Sequence, residues 1–347
     1  MFRRNLVIAA KPNPAAIAYI ASATAAPIPT ASPGRTPCDI VVLMQMIPIG
    51  PTGAAIARPM RIDCKNKINI NCGCSLINKI KIIKEMKTIH IETWQDLLDA
   101  LYSESWNRNI ERFRSKEAYR GLSTAEYPLE TTLMRMGGPY AKLEKHLLRN
   151  FRKYAHRDMV EKDSVWDWLT LAQHHGLPTR LLDWTYSPFA ALHFATANIE
   201  KFNEDGVIWA VNYVDTHRHL PQDLLRQLEN EGANVFTIEM LSESVGSLDD
   251  FDSLMSGDVA IFLEPPSLDD RIVNQHALFS VISNPEGRID NLIQQHEDIG
   301  RKIIIPAKLK WEIRDKIDQA NINERVLFPG LDGLSSWLKR QYGSKIK

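Results

Sequence analysis

The run His174-His175-Gly176-Leu177-Pro178-Thr179-Arg180-Leu181-Leu182-Asp183-Trp184-Thr185 is the densest collection of polar functional groups among apolar neighbours in this chain. Arg180 and Asp183 stand between Leu181, Leu182 and Trp184. A charge left bare in such company is costly, so each needs a partner or a cleft. Two readings stay open. Arg180 and Asp183 can pair to pin the turn set by Gly176 and Pro178, with Thr185 and Ser187 as caps, or the cluster can hold a ligand together with Thr179 and His175. Adjacent side chains diverge on any regular element, so His174 and His175 are poor joint metal ligands, and one of them is expected to be a hydrogen-bonded core histidine.

Arg120, between Tyr119 and Gly121, is the second candidate. A guanidinium at a strand end suits bidentate capture of phosphate or carboxylate, and Gly121 permits a turn there. The plainer alternative is a surface arginine. A third group comprises Glu264-Pro265-Pro266 and then Arg271, Asn274, Gln275 and His276. Arg271 and Gln275 lie four apart and share a face if 267–275 is helical. Leu327-Phe328-Pro329-Gly330 through Leu334 reads as a turn into a closing helix.

These residues need elements to hold them. Thr93 as a capping hydroxyl, followed by Trp94, Leu97, Leu98 and Leu101, predicts an entry helix. Leu143, Leu147, Phe151 and Tyr154 predict a second, with Lys142, Lys145, Arg149, Arg152 and Lys153 on a solvated face. Trp166, Trp168, Leu169 and Leu171 mark a buried helix that Gly176 ends. Ser187-Pro188 is a cap followed by a first-turn proline, and it opens a helix apolar nearly all round. Strands are expected at Val207–Val214, Val259–Leu263, Leu278–Ser283 and Lys302–Ile305. Asp223–Glu229 is read as helical with irregular sequence after it, and Trp311–Gln319 and Leu334–Arg340 as closing helices. The sum is one α+β domain with a mixed or antiparallel sheet flanked by helices.

The 347 residues have zero formal net charge, but the balance is uneven. Residues 1–85 carry 11 Lys/Arg against 3 Asp/Glu, leaving 31 against 39 in 86–347, a split of +8 and −8. The same 85 residues hold 9 of the 19 prolines and all four cysteines, with only Phe2 and Tyr19 as aromatics, so this stretch is expected to be a disordered extension or sequence upstream of the true start. The spacing of Cys64, Cys72 and Cys74 lacks the paired ligands of a zinc site, and no metal is expected. A body without cysteine suits a reducing cytoplasm, and no run of 18 apolar residues suggests a membrane span. The −8 balance of 86–347 argues against nucleic acid as a partner.

Tyr119-Arg120-Gly121, the block His175 to Thr185 with Ser187-Pro188, Arg271 with Gln275 and Phe279, and Leu327-Phe328-Pro329 resemble, in that order, the FRG domain family. Tyr119 replaces the phenylalanine of the family's name. The resemblance covers about 90–340, implies an intracellular bacterial or phage-type protein, and supplies no reaction. The order also resembles arginine-type mono-ADP-ribosyltransferases, in which a strand ending in Tyr/Phe-Arg-Gly holds the phosphates of a dinucleotide and a Ser/Thr cluster caps a helix beside the nicotinamide. That likeness implies an ADP-ribosyltransferase-like fold and NAD as substrate. Tyr119, Arg120, Gly121, His175, Thr179, Arg180, Thr185, Ser187 and Arg271 would bind it, and Asp183, Glu264 or Gln275 would stand where catalysis needs a carboxylate. A non-catalytic module for a phosphorylated or acidic ligand is the competing expectation.

Overall fold

The computed structural model describes residues 86–343 except 156–159, 161, 268 and 297. The extension and cysteine readings of 1–85 therefore lie outside the described residues. In chain order the strands are β1 (Thr88–His90), β2 (Trp106–Asn107), β3 (Arg112–Phe113), β4 (Glu117–Leu122), β5 (Leu182–Thr185), β6 (Gly206–Asn212), β7 (Ala260–Leu263), β8 (Ala277–Ile282) and β9 (Gly300–Ile305). The helices are α1 (Trp94–Tyr102), α2 (Tyr140–Tyr154), α3 (Val165–His174), α4 (Pro188–Ala195), α5 (Tyr213–His217), α6 (Gln222–Glu231), α7 (Ile238–Ser244), α8 (Leu248–Asp252), α9 (Asp270–Asn274), α10 (Ile289–Gln295), α11 (Lys310–Gln319), α12 (Glu324–Leu327) and α13 (Leu331–Gln341).

Seven strands form one mixed sheet in the order β1-β9-β6-β4-β5-β8-β7, in which β1 and β9 run parallel and every other pair antiparallel. Strand β6 explains why both faces must be covered. Val207, Trp209 and Val211 enter one buried cluster with Trp184, Phe262 and Ile293, while Ile208 and Ala210 enter another with Leu101, Leu192 and Ile313. A strand apolar on both faces is stable only between two layers. A third cluster gathers Trp166, Phe236 and Phe251 from the α3, α7 and α8 side against Leu263, Phe279 and Val281.

Three local expectations are corrected. The strand expected to reach Val214 stops at Asn212, whose side chain accepts hydrogen bonds from the Val214 and Asp215 amides and so starts helix α5 instead. Helix α2 buries Glu144 and Leu148, leaving Leu143 and Tyr154 exposed, because an acid on the inner face serves as a partner for Arg180. The stretch read as irregular after Glu229 holds α7 and α8, each opened by a capping hydroxyl, Thr237 and Ser247.

Candidate functional site

Strand β4 pairs with β6 over six residues but with β5 at Tyr119↔Thr185 alone. Past that pair the two strands part. Arg120, Gly121 and Leu122 on one edge and Asp183 and Trp184 on the other line the resulting cleft, of about 740 Å³. The end of α3, the α9–β8 junction and the segment after β4 complete it, contributing Gln173, His174, Arg271, Gln275, Tyr127, Glu130 and Arg135.

Gly121 sits inside β4, opposite Ile208, rather than at a turn. A Cβ there would lie 1.8 Å from the Ala191 carbonyl oxygen and 2.7 Å from the Ala195 nitrogen. Glycine is required so that α4 can lie directly on the strand. Ser187 accepts from the Ala190 amide at 3.2 Å, and Pro188 needs no such partner at the first helical position. Thr185 ties this helix start to α9: its hydroxyl donates to the Gln275 carbonyl at 2.6 Å and accepts from the Ser187 amide at 3.0 Å.

Arg120 bridges the split. Its Nη1 donates to the Asp183 carbonyl oxygen at 2.5 Å and lies 3.9 Å from the Asp183 carboxylate. Its Nε is buried with no hydrogen-bond partner. Burial draws the guanidinium below its ordinary pKa, Asp183 opposes that, and Arg135 adds to it. Arginine keeps its proton regardless, so the cation is withdrawn from water with incomplete compensation. Asp183 is shared, since its Oδ1 also accepts from Gln173 Nε2 at 3.0 Å. Arg271 lies 5.2 Å from the Phe328 ring. Among the described residues neither Arg135 nor Arg271 has a carboxylate partner.

The structure thus brings together Arg120, Gly121, Asp183, Thr185, Arg271 and Gln275, with Tyr119 at the cleft base and its hydroxyl turned to the Leu101 carbonyl. It separates others. Arg180 is buried away from the cleft, its guanidinium engaged by Glu144 and Asp252 in place of Asp183. Thr179 is buried and donates to Gln173 Oε1 at 2.6 Å. Ser187 is a cap, and His175 closes α3 beside His174. Glu264 accepts from the Tyr186 hydroxyl at 2.8 Å and does not line the cleft. The Gln275 amide is committed to the Leu327 carbonyl at 2.9 Å.

Sequence reasoning missed Tyr127, Glu130, Arg135 and Gln173 as site residues. No spacing marks the first three: Tyr127 and Glu130 lie on irregular chain and Arg135 in a three-residue 3-10 turn, Met134–Met136. His174, which lines the cleft, pairs with Asp269 at 3.0 Å. Among the described residues no cluster of three or more His, Cys, Asp or Glu could hold a metal ion, and no helix is long and apolar enough to cross a membrane. No curated protein and no solved structure matches the chain. Residues 115–204, which supply both edges of the β4/β5 opening and helix α4 packed on it, match the FRG domain family.

Proposed function

We propose that the β4/β5 cleft binds a phosphorylated nucleotide, with NAD as the candidate substrate, and that Arg120, Arg135 and Arg271 receive the phosphates. One observation carries this reading: the desolvated Arg120 guanidinium, with its Nε unpartnered, lies beside two arginines that no carboxylate neutralises. Such a concentration of cations is relieved by an anion with several charged oxygens. A volume of about 740 Å³ suits a nucleotide-sized molecule, and Tyr127 and Phe194 add aromatic residues to the lining. The reading supposes a bacterial cytoplasmic protein, where NAD is available.

Cleavage of NAD or transfer of ADP-ribose needs a carboxylate at an oxocarbenium-like centre. Asp183 is held by Arg120 and Gln173, Glu264 is outside, and Gln275 is an amide bonded to backbone. These commitments favour, as a second reading, recognition of a phosphorylated or acidic ligand without turnover.

The test uses the full chain, with NAD binding followed by calorimetry and nicotinamide release followed in parallel, for wild type, Arg120→Ala and Lys142→Ala. The expected result is binding abolished in Arg120→Ala and retained in Lys142→Ala. Release that depends on Arg120 makes the protein an NAD-consuming enzyme, and binding without release selects the second reading. Folded protein that binds neither NAD, ADP nor inorganic pyrophosphate would overturn both.

A further inference from the structure

A second feature lies outside the cleft. Strands β2 and β3 form their own two-stranded sheet, pairing Trp106 with Phe113 and Asn107 with Arg112, and they join no strand of the main sheet. Isolated hairpins are marginal in water. This one keeps its largest apolar side chains in solvent: Trp106 is 49% and Phe113 57% exposed, with ring centres 5.0 Å apart, and Tyr102 extends the row 6.5 Å from Phe113. Residues 108–116 are exposed throughout.

The hairpin is also cationic. Arg108, Arg112, Arg114 and Lys116 stand on it against Glu111, and none of the four has an ion-pair partner among the described residues. Arg114 reaches only the neighbouring Phe113 carbonyl, at 2.8 Å. A polar cleft of about 520 Å³ opens beside the turn, lined by Trp106, Arg108, Arg114 and Lys116. Its acids are largely engaged, Glu117 by Arg301, Glu104 by Lys87 and Asp215 by Arg218, which leaves Asp298.

We propose that the β2–β3 hairpin and this cleft form a binding surface for single-stranded nucleic acid. Exposed ring faces interleaved with unpaired guanidinium groups match a polymer that alternates bases, each with a stacking face, and phosphates. The −8 balance of 86–347 is a global average. Charges more than about 8 Å away are screened at physiological salt, so the patch acts through its own cations. None of the hairpin residues lines the β4/β5 cleft, so this surface stands or falls independently of the nucleotide reading.

The test is fluorescence anisotropy with the full chain and a fluorescein-labelled oligothymidylate of about 15 nucleotides. Residues 1–85 are basic and can bind the probe themselves, so the comparison is among variants. Trp106→Ala is expected to weaken binding about ten-fold, as loss of a stacking ring does. Arg108→Ala with Arg112→Ala, which spares the rings, is expected to weaken it similarly and to lower the salt dependence by about 0.7 per charge removed. Lys142→Ala should change nothing. The proposal is overturned if the hairpin variants bind as wild type does, if duplex DNA binds as tightly as the single strand, or if polyglutamate displaces the probe as readily as unlabelled oligonucleotide. The last result would mark a surface for acidic protein segments instead.

Discussion

At the scale of single residues, two arginines that look alike in sequence have opposite fates. Arg120 and Arg180 each interrupt apolar sequence, and nothing near either identifies its partner. The groups that consume Arg180 lie 36 and 72 residues away, on α2 and α8. Removing Arg180 would leave the Glu144 carboxylate, 2% exposed, without a counter-charge. Arg180→Met should therefore destabilise the protein by about 3–5 kcal/mol, part of which Glu144→Gln in the same chain recovers. Ligand affinity of the folded fraction should be unchanged, because the guanidinium is not in the cleft. Urea denaturation of the single and double variants, with NAD titration of each, checks both halves. Gly121 gives a second case. The sequence marks the position as special but not the reason, which is the Ala191 carbonyl of a helix about 70 residues away. Gly121→Ala has backbone to displace, so a loss of about 3 kcal/mol or more is expected, seen as a fall in Tm of roughly 6 to 12 °C. Gly246, whose added Cβ would meet nothing closer than 3.8 Å, is the control.

Elements were legible where the signal is local. Caps and breakers at Thr93, Ser187-Pro188 and Gly176 place α1, α4 and the end of α3, since they act within one turn of chain. Errors arose where a distant contact overrode the local pattern, as when Glu144 turned α2 by one position. The shape of the cleft was beyond sequence for the same reason: a single β4–β5 register is a property of two strands and everything packed on them. One arrangement at this scale has a functional consequence. Asn274 donates to the Val326 carbonyl and Gln275 to the Leu327 carbonyl, both at 2.9 Å, and Phe328 lies against Arg271. Helix α12 thus latches α9 and aims Arg271 at the cleft. Phe328→Leu should weaken nucleotide binding roughly three- to ten-fold through the lost ring contact, while Arg271→Ala should lose more and make Phe328→Leu silent. Calorimetric titration of the two variants and their combination tests this, and additive losses would show that Phe328 acts elsewhere.

For the whole molecule, two buried histidines set the response to acid. His217 joins α5 to β7: its Nδ1 is 3.0 Å from the Asn234 carbonyl, and its Nε2 accepts from the Phe262 amide at 2.9 Å. His193 on α4 faces an Arg314 guanidinium nitrogen at 2.9 Å from Nδ1, and Arg314 is in turn held by Glu324. A ring nitrogen that accepts from an N–H must stay unprotonated, and burial acts in the same direction. Desolvation lowers His193 to about 3, with Arg314 contributing, and lowers His217 to about 4. The unfolded chain, with histidines near 6.5, therefore takes up protons first. Stability is full above about pH 6.5 and declines as pH falls towards those values, with each histidine contributing a slope of about 1.4 kcal/mol per pH unit once well below 6.5. Glu324, lowered to about 2 despite burial by Arg340 and Arg314, adds a further loss as pH drops below its ordinary range. Neither histidine lines the β4/β5 cleft next to Arg120, although Phe194, adjacent to His193, does. Acid should thus unfold the protein through groups that lie outside the cleft. Urea midpoints measured from pH 7.5 to 4.5 should fall steadily below 6.5, and His217→Gln, less stable at neutral pH, should show a shallower fall. A flat profile across that range would refute the assignment.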